Sequence, residues 1–263
     1  MAERLWATGE VIPLFFQTKA GWKQKIKIVE TLVNILIALL FLSCFTPSVV
    51  WAKTKVQANQ KYILVTGFEP FGGEKTNGSW EAVQHLDGTV IVNKKVVVCQ
   101  LPVIWEKASE KLVALILEYH PVAVVAFGEA GAEPVRVEIV AKNTRDMYGD
   151  NANKMPSTNF ISASAPHTLQ TSLNTDVITK RLHEGGIPVT LSQDAGGYLC
   201  NETFFNLMNF SGAEKTLNMR RGFIHVPPLN AKVVTPDRPA LSFDKATLEK
   251  TADIIVRAVA EGI

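Results

Sequence analysis

Apolar and polar positions along the chain change rhythm near Lys61. Beyond it, apolar runs of strand length alternate with longer stretches of helical spacing. The runs Tyr62–Thr66, Val96–Leu101, Val122–Phe127, Ile187–Ser192 and Gly222–Val226 predict strands. Val135–Lys142 alternates, with Val135, Val137, Ile139 and Ala141 on one face and Arg136, Glu138, Val140 and Lys142 on the other. Helices are predicted at Trp80–Leu86 behind a Ser79 cap, at Trp105–Tyr119, at 171–184, at 198–210 and near Phe243–Val259. Residues 143–168, rich in Asn, Ser, Pro and Gly, predict a long surface excursion. This alternation predicts the α/β class: a three-layer α/β/α sandwich with a mostly parallel, mixed central sheet. Ligands of such sheets bind at the carboxyl ends of the strands.

The first 52 residues follow a different pattern. Lys19, Lys23, Lys25 and Lys27 precede a largely apolar run from Leu32 to Leu42, which continues to Val50-Trp51-Ala52. This predicts a signal peptide cleaved after Ala52, or an N-terminal membrane anchor, since Thr31–Trp51 just spans a bilayer. A lipidated Cys44 fits the pattern less well. Residues 53–60 then form a linker and 61–263 a catalytic domain. Each reading places that domain outside the cytoplasm, in the periplasm or extracellular space, with membrane contact only through the N-terminal segment.

Composition narrows the choice further. A chain of 263 residues, 47% of them hydrophobic, can bury a full core. Its net charge of +2, with no basic stretch interleaved with aromatics, argues against a nucleic-acid partner. Cys44, Cys99 and Cys200 show no ligand spacing, so no structural zinc is expected.

Candidate chemistry centres on Ser192–Asn201, where Gly196 and Gly197 break a strand before a helix begins. Cys200 then falls in the first helical turn, where free N–H groups and the helix dipole favour loss of a thiol proton. A small buried thiol packing helix against sheet is the plainer alternative. A thiolate nucleophile needs a base and an orienting group. Of the five histidines, His225 alone ends an apolar strand, before Pro227-Pro228. Its plainer reading is a core histidine satisfied by backbone. Glu138 is the candidate orienting carboxylate, against a simply solvated strand face, and Asp194 competes for the role. The loop Gly67–Gly73 lacks a phosphate-binding pattern, and its Phe68 and Phe71 could wall a small apolar pocket.

These places together resemble the pyroglutamyl-peptidase I family of cysteine peptidases, over roughly residues 61–261. The resemblance is carried by Thr66–Gly73 with Asn77 and Ser79–Ala82, by Glu138 five residues before Asn143, by Asp194–Asn201 and by Gly222–Pro227. It implies Cys200 as nucleophile, His225 as general base and acid, and Glu138 as the residue orienting the imidazole. It implies backbone N–H groups of Gly197 and Cys200 at the oxyanion, and Phe68, Phe71, Asn77, Glu129, Tyr198 and Leu199 around the substrate. Peptides with an N-terminal pyroglutamate are the implied partners, without metal or cofactor, and a homo-oligomer is open. Where many bacterial members carry Gly-Gln-Ala-Gly-Gly-Arg, this chain has Gly128-Glu129-Ala130-Gly131-Ala132-Glu133. The added negative charge would raise the thiol pKa. Two other readings stay open on that ground: an impaired homologue that binds blocked peptides, and a hydrolase of another small amide. In an oxidising compartment Cys99 and Cys200 could also pair, which would remove the nucleophile.

Overall fold

A computed structural model describes residues 60–212, 218–236 and 238–263. The predicted signal or anchor lies outside them, and among the described residues no helix is long and apolar enough to cross a membrane. The strands are β1 (Lys61–Phe68), β2 (Val90–Ile91), β3 (Lys94–Leu101), β4 (Ala123–Glu129), β5 (Val135–Glu138), β6 (Val140–Lys142), β7 (Thr168–Gln170), β8 (Val189–Ser192), β9 (Arg220–Val226), β10 (Ala231–Thr235) and β11 (Arg238–Phe243). The helices are α1 (Gly78–Val83), α2 (Lys107–Tyr119), α3 (Thr175–Glu184), α4 (Leu199–Asn209) and α5 (Lys245–Glu261).

Seven strands form one sheet in the order β2-β3-β1-β4-β9-β5-β8. The block β3-β1-β4-β9 is parallel, and its central strands are apolar on both faces because helices cover both. One face packs Phe127, Val137 and Ile224 against Ile178 and Leu182 of α3 and Leu248, Ile255 and Val256 of α5. The other packs Leu64, Ala126 and Phe223 against Leu112 and Ile116 of α2 and Phe204 and Phe205 of α4. The three-layer α/β/α architecture read from the alternation is the one observed.

Several local expectations are corrected. Asn77, not Ser79, caps α1: its side-chain oxygen accepts from the Ser79 N–H at 3.0 Å. The alternating segment 135–142 is two strands, because after Ile139 the chain leaves the main sheet and β6 pairs with β7. The pair β5-β8 is internally parallel, but β5 runs antiparallel to β9. The carboxyl end of β8 therefore does not lie beside that of β9. The chain must turn back after Ser192 to deliver Cys200, and Gly196 supplies part of that reversal with φ +79°.

Candidate active site

Three neighbouring strands meet at one level. Gly128 of β4 is the registered partner of His225 on β9, and His225 is the registered partner of Arg136 on β5. Directly opposed residues share a face, and Glu138, two residues beyond Arg136, shares it too. This diagonal lets His225 Nδ1 reach Glu138 Oε1 at 2.7 Å, with the carboxylate fully buried and the imidazole 3% exposed. Glu138 is thus not the solvated face residue that alternation alone would suggest. Because the carboxylate accepts from Nδ1–H, Nε2 is left as the proton acceptor. The His225 ring is held edge-on against Phe223, centroids 5.0 Å apart.

Cys200 is the second residue of α4, whose first turn leaves its N–H groups outside the helical ladder. Its sulfur lies over Gly128, 2.8 Å from where a Cβ would stand. Asn201 locks the helix start by donating to Lys142 O and Thr144 O, each at 2.8 Å, and accepting from Lys142 N–H at 2.9 Å. The helix terminus does not win the electrostatic contest, however. Burial, with Glu138 adding to it, pushes the Cys200 thiol up to about 12, against smaller lowering by Arg136 and the Cys200 N–H. The expected easy loss of the proton is corrected: a desolvated thiol remains protonated at rest.

A cavity of about 290 Å³ opens at the sulfur. Phe68, Phe71, Asn77, Glu129, Gly197, Tyr198, Leu199, Cys200 and His225 all line it. Their functions within it differ. Phe68 is buried, while Phe71 and Tyr198 form an aromatic wall with centroids 6.4 Å apart. Tyr198 is anchored by its hydroxyl, which donates to Gly149 O at 3.0 Å. Asn77 is engaged by the protein itself, accepting from the Ser79 hydroxyl at 2.6 Å and donating to Glu69 O at 3.1 Å. Glu129 accepts a short hydrogen bond from the Gly78 N–H, and burial raises its carboxyl above the ordinary range. Glu138 is the carboxylate on the imidazole; Asp194 instead pairs with Lys142 at 2.8 Å. Among the described residues Cys99 and Cys200 are both free thiols, so they are not paired with each other.

Sequence reasoning gave no role to Arg136, although its parity with Glu138 already placed the two on one face. It also passed over Gly128, whose missing side chain makes room for the sulfur.

The profile of the pyroglutamyl peptidase family matches residues 61–260. The chain belongs to this family. It is 37% identical to pyrrolidone-carboxylate peptidase 1 of Ralstonia nicotianae over 185 residues, 69% of this chain and 86% of that one. With the pyrrolidone-carboxylate peptidase of Thermococcus onnurineus identity is 36% over 197 residues, covering 74% and 96%. The crystal structure of Bacillus amyloliquefaciens pyroglutamyl peptidase I superposes with a TM-score of 0.69 at 31% identity, covering 77% of this chain and 98% of that one. In this chain the start of α4 and the end of β9 bring Cys200 and His225 to one cavity, and the two-strand diagonal sets Glu138 buried behind the imidazole.

α4 also carries a second charged cluster. Glu202 is 1% exposed, and its Oε1 stands 2.9 Å from Arg145 Nη1 without hydrogen-bond geometry. Burial outweighs that ion pair and pushes the Glu202 carboxyl from 4.5 up to about 7. The folded state therefore holds this proton more tightly than the unfolded chain. The stabilisation is full below about pH 4.5 and lost as pH rises through about 7. The implied swing is about 3 kcal/mol. Thermal unfolding should accordingly show wild-type Tm falling from pH 5 to pH 8 by several degrees more than that of Glu202→Gln. Parallel Tm profiles would refute this assignment.

Proposed function

We propose that the chain is a cysteine exopeptidase that removes an N-terminal pyroglutamyl residue from peptides. The observation carrying this reading is the 2.7 Å Glu138–His225 contact at the cavity that Cys200 faces, within the family framework. Because the thiol rests protonated, its proton passes to His225 Nε2 as sulfur attacks the pyroglutamyl carbonyl. Negative charge builds on the carbonyl oxygen, where the Cys200 and Gly197 N–H groups are the available donors. The tetrahedral carbon then expels the amine of the next residue, which takes the proton from Nε2 and leaves a thioester. Water, deprotonated by Nε2, attacks the thioester and releases pyroglutamate and the thiol. Glu138 holds Nδ1–H throughout and balances the transient imidazolium.

The small cavity with its aromatic wall suits a compact ring, and no chain can continue N-terminally from a lactam. Export is part of the proposal, supported by the apolar segment behind four lysines. Of the three sequons, at Asn77, Asn201 and Asn209, the first two are buried and the third is exposed, and a glycan on Asn201 would crowd Cys200, which suits a bacterial-type route without N-glycosylation. Mass spectrometry of peptides incubated with the reduced full-length protein tests the reaction. A pyroglutamyl peptide should lose its first residue, while the same peptide beginning with glutamine or proline stays intact. Indiscriminate cleavage, or none, would contradict the reading.

A further inference from the structure

Glu138 is the most completely enclosed charge in the site. Its side chain has no solvent exposure, and its Oε2 has no hydrogen-bond partner. A carboxylate in that setting is costly unless a cation balances it. His225 can supply positive charge only by taking up a proton, which would occupy the Nε2 that the reaction needs free. Arg136 supplies it permanently. Its Nε stands 3.2 Å from Glu138 Oε1, the same oxygen that accepts from His225. Its Nη2 lies 3.5 Å from His225 Nδ1, a contact between two donors and so not a hydrogen bond in this tautomer. Its Nη1 donates to the exposed Glu133 Oε2 at 3.0 Å, which holds the guanidinium in place from the solvent side. Among the described residues, Arg136 is the one Lys or Arg that lines the cavity.

We propose that Arg136 is a positioning residue of the triad: it balances the Glu138 carboxylate, so that neutralising this charge does not require a proton on His225 and Nε2 stays open to the Cys200 proton. The other charged groups around the pair do not duplicate it. From β4 comes Glu129, from α4 the Cys200 thiol, and both add negative charge when ionised. Lys142 on β6 is paired with Asp194 in the loop after β8. Arg136 is therefore the group whose loss leaves proton uptake as the remaining way to neutralise Glu138.

The consequence is a displaced acid limb rather than a uniform loss. For Arg136→Met, kcat/KM should begin to fall about one pH unit higher than in wild type, given a partly exposed guanidinium. At pH values below the wild-type limb this is about a tenfold loss, shrinking on the plateau. Arg136→Lys, which restores the charge, should recover most of the displacement. The proposal rests on the peptidase reading for the rate measurement alone. Imidazole NMR of the full-length protein follows His225 without turnover, its signal assigned by absence in His225→Gln. In Arg136→Met that signal should convert to the protonated form about one unit higher in pH. Arg136→Gln replaces the Met variant if the latter does not fold. An unchanged NMR midpoint overturns the proposal whatever the rates do. A rate loss equal at every pH, with Lys no better than Met, overturns it as well.

Discussion

Replacing His225 by Gln is expected to lower kcat by about 10⁴-fold with the fold retained. The imidazole is the group placed to receive the Cys200 proton and return it to the leaving amine. Gln can hydrogen-bond Glu138 but cannot carry a proton between sulfur and nitrogen. Because the thiol is pushed up to about 12, no reserve of pre-formed thiolate exists to sustain turnover without a base. Retention of the fold follows from Arg136, which still balances Glu138 at 3.2 Å. Steady-state kinetics beside a circular-dichroism melt measures both. A rate within tenfold of wild type in a folded variant would mean that proton transfer takes another route.

Gly128→Ala should cause the next largest loss without touching a chemical group. An added Cβ would stand 2.7 Å from Phe223 Cζ and 2.8 Å from Cys200 Sγ. Neither neighbour has an easy escape. Phe223 is fully buried and packs on Phe68, Phe204 and His225. The sulfur is tied to a helix start that Asn201 locks. Overpacking of this kind costs about 1–3 kcal/mol of stability. Displacing the nucleophile by a fraction of an ångström should cost about 10²-fold in kcat, with KM changing far less. Denaturant unfolding and steady-state kinetics separate the two effects. Wild-type kcat in this variant would show that the sulfur does not sit over Gly128 during reaction.

The parts that were legible in the sequence share a physical reason. Apolar runs and helical spacing reflect burial on two faces of a sheet, so β1, β3, β4 and β9 could be placed closely. Cys200 and His225 stood out as a thiol after a glycine break and a histidine ending an apolar strand, positions that plain core packing also allows and that the family resemblance then singled out. The direction of β5 and β8 was not legible, since a four-residue strand carries no mark of whether it runs with or against its neighbour. Thiol ionisation failed for a different reason. The helix terminus is local, but the burial and the Glu138 carboxylate that outweigh it come from residues distant in sequence. Ser79 and Asn77 are both good caps, and only the observed chain path before α1 selects Asn77. Arg136 could have been found: a base two residues from a carboxylate on an alternating strand must share its face.

The central claim is that Cys200 attacks a pyroglutamyl carbonyl. The most direct measurement is release of free pyroglutamate from a pyroglutamyl peptide by the reduced full-length protein, beside Cys200→Ser. Wild type should release it and the serine variant should fall by at least about 10³-fold, since a hydroxyl is a far weaker nucleophile at this site. Equal release by both proteins, or none by a folded wild type, would contradict the account.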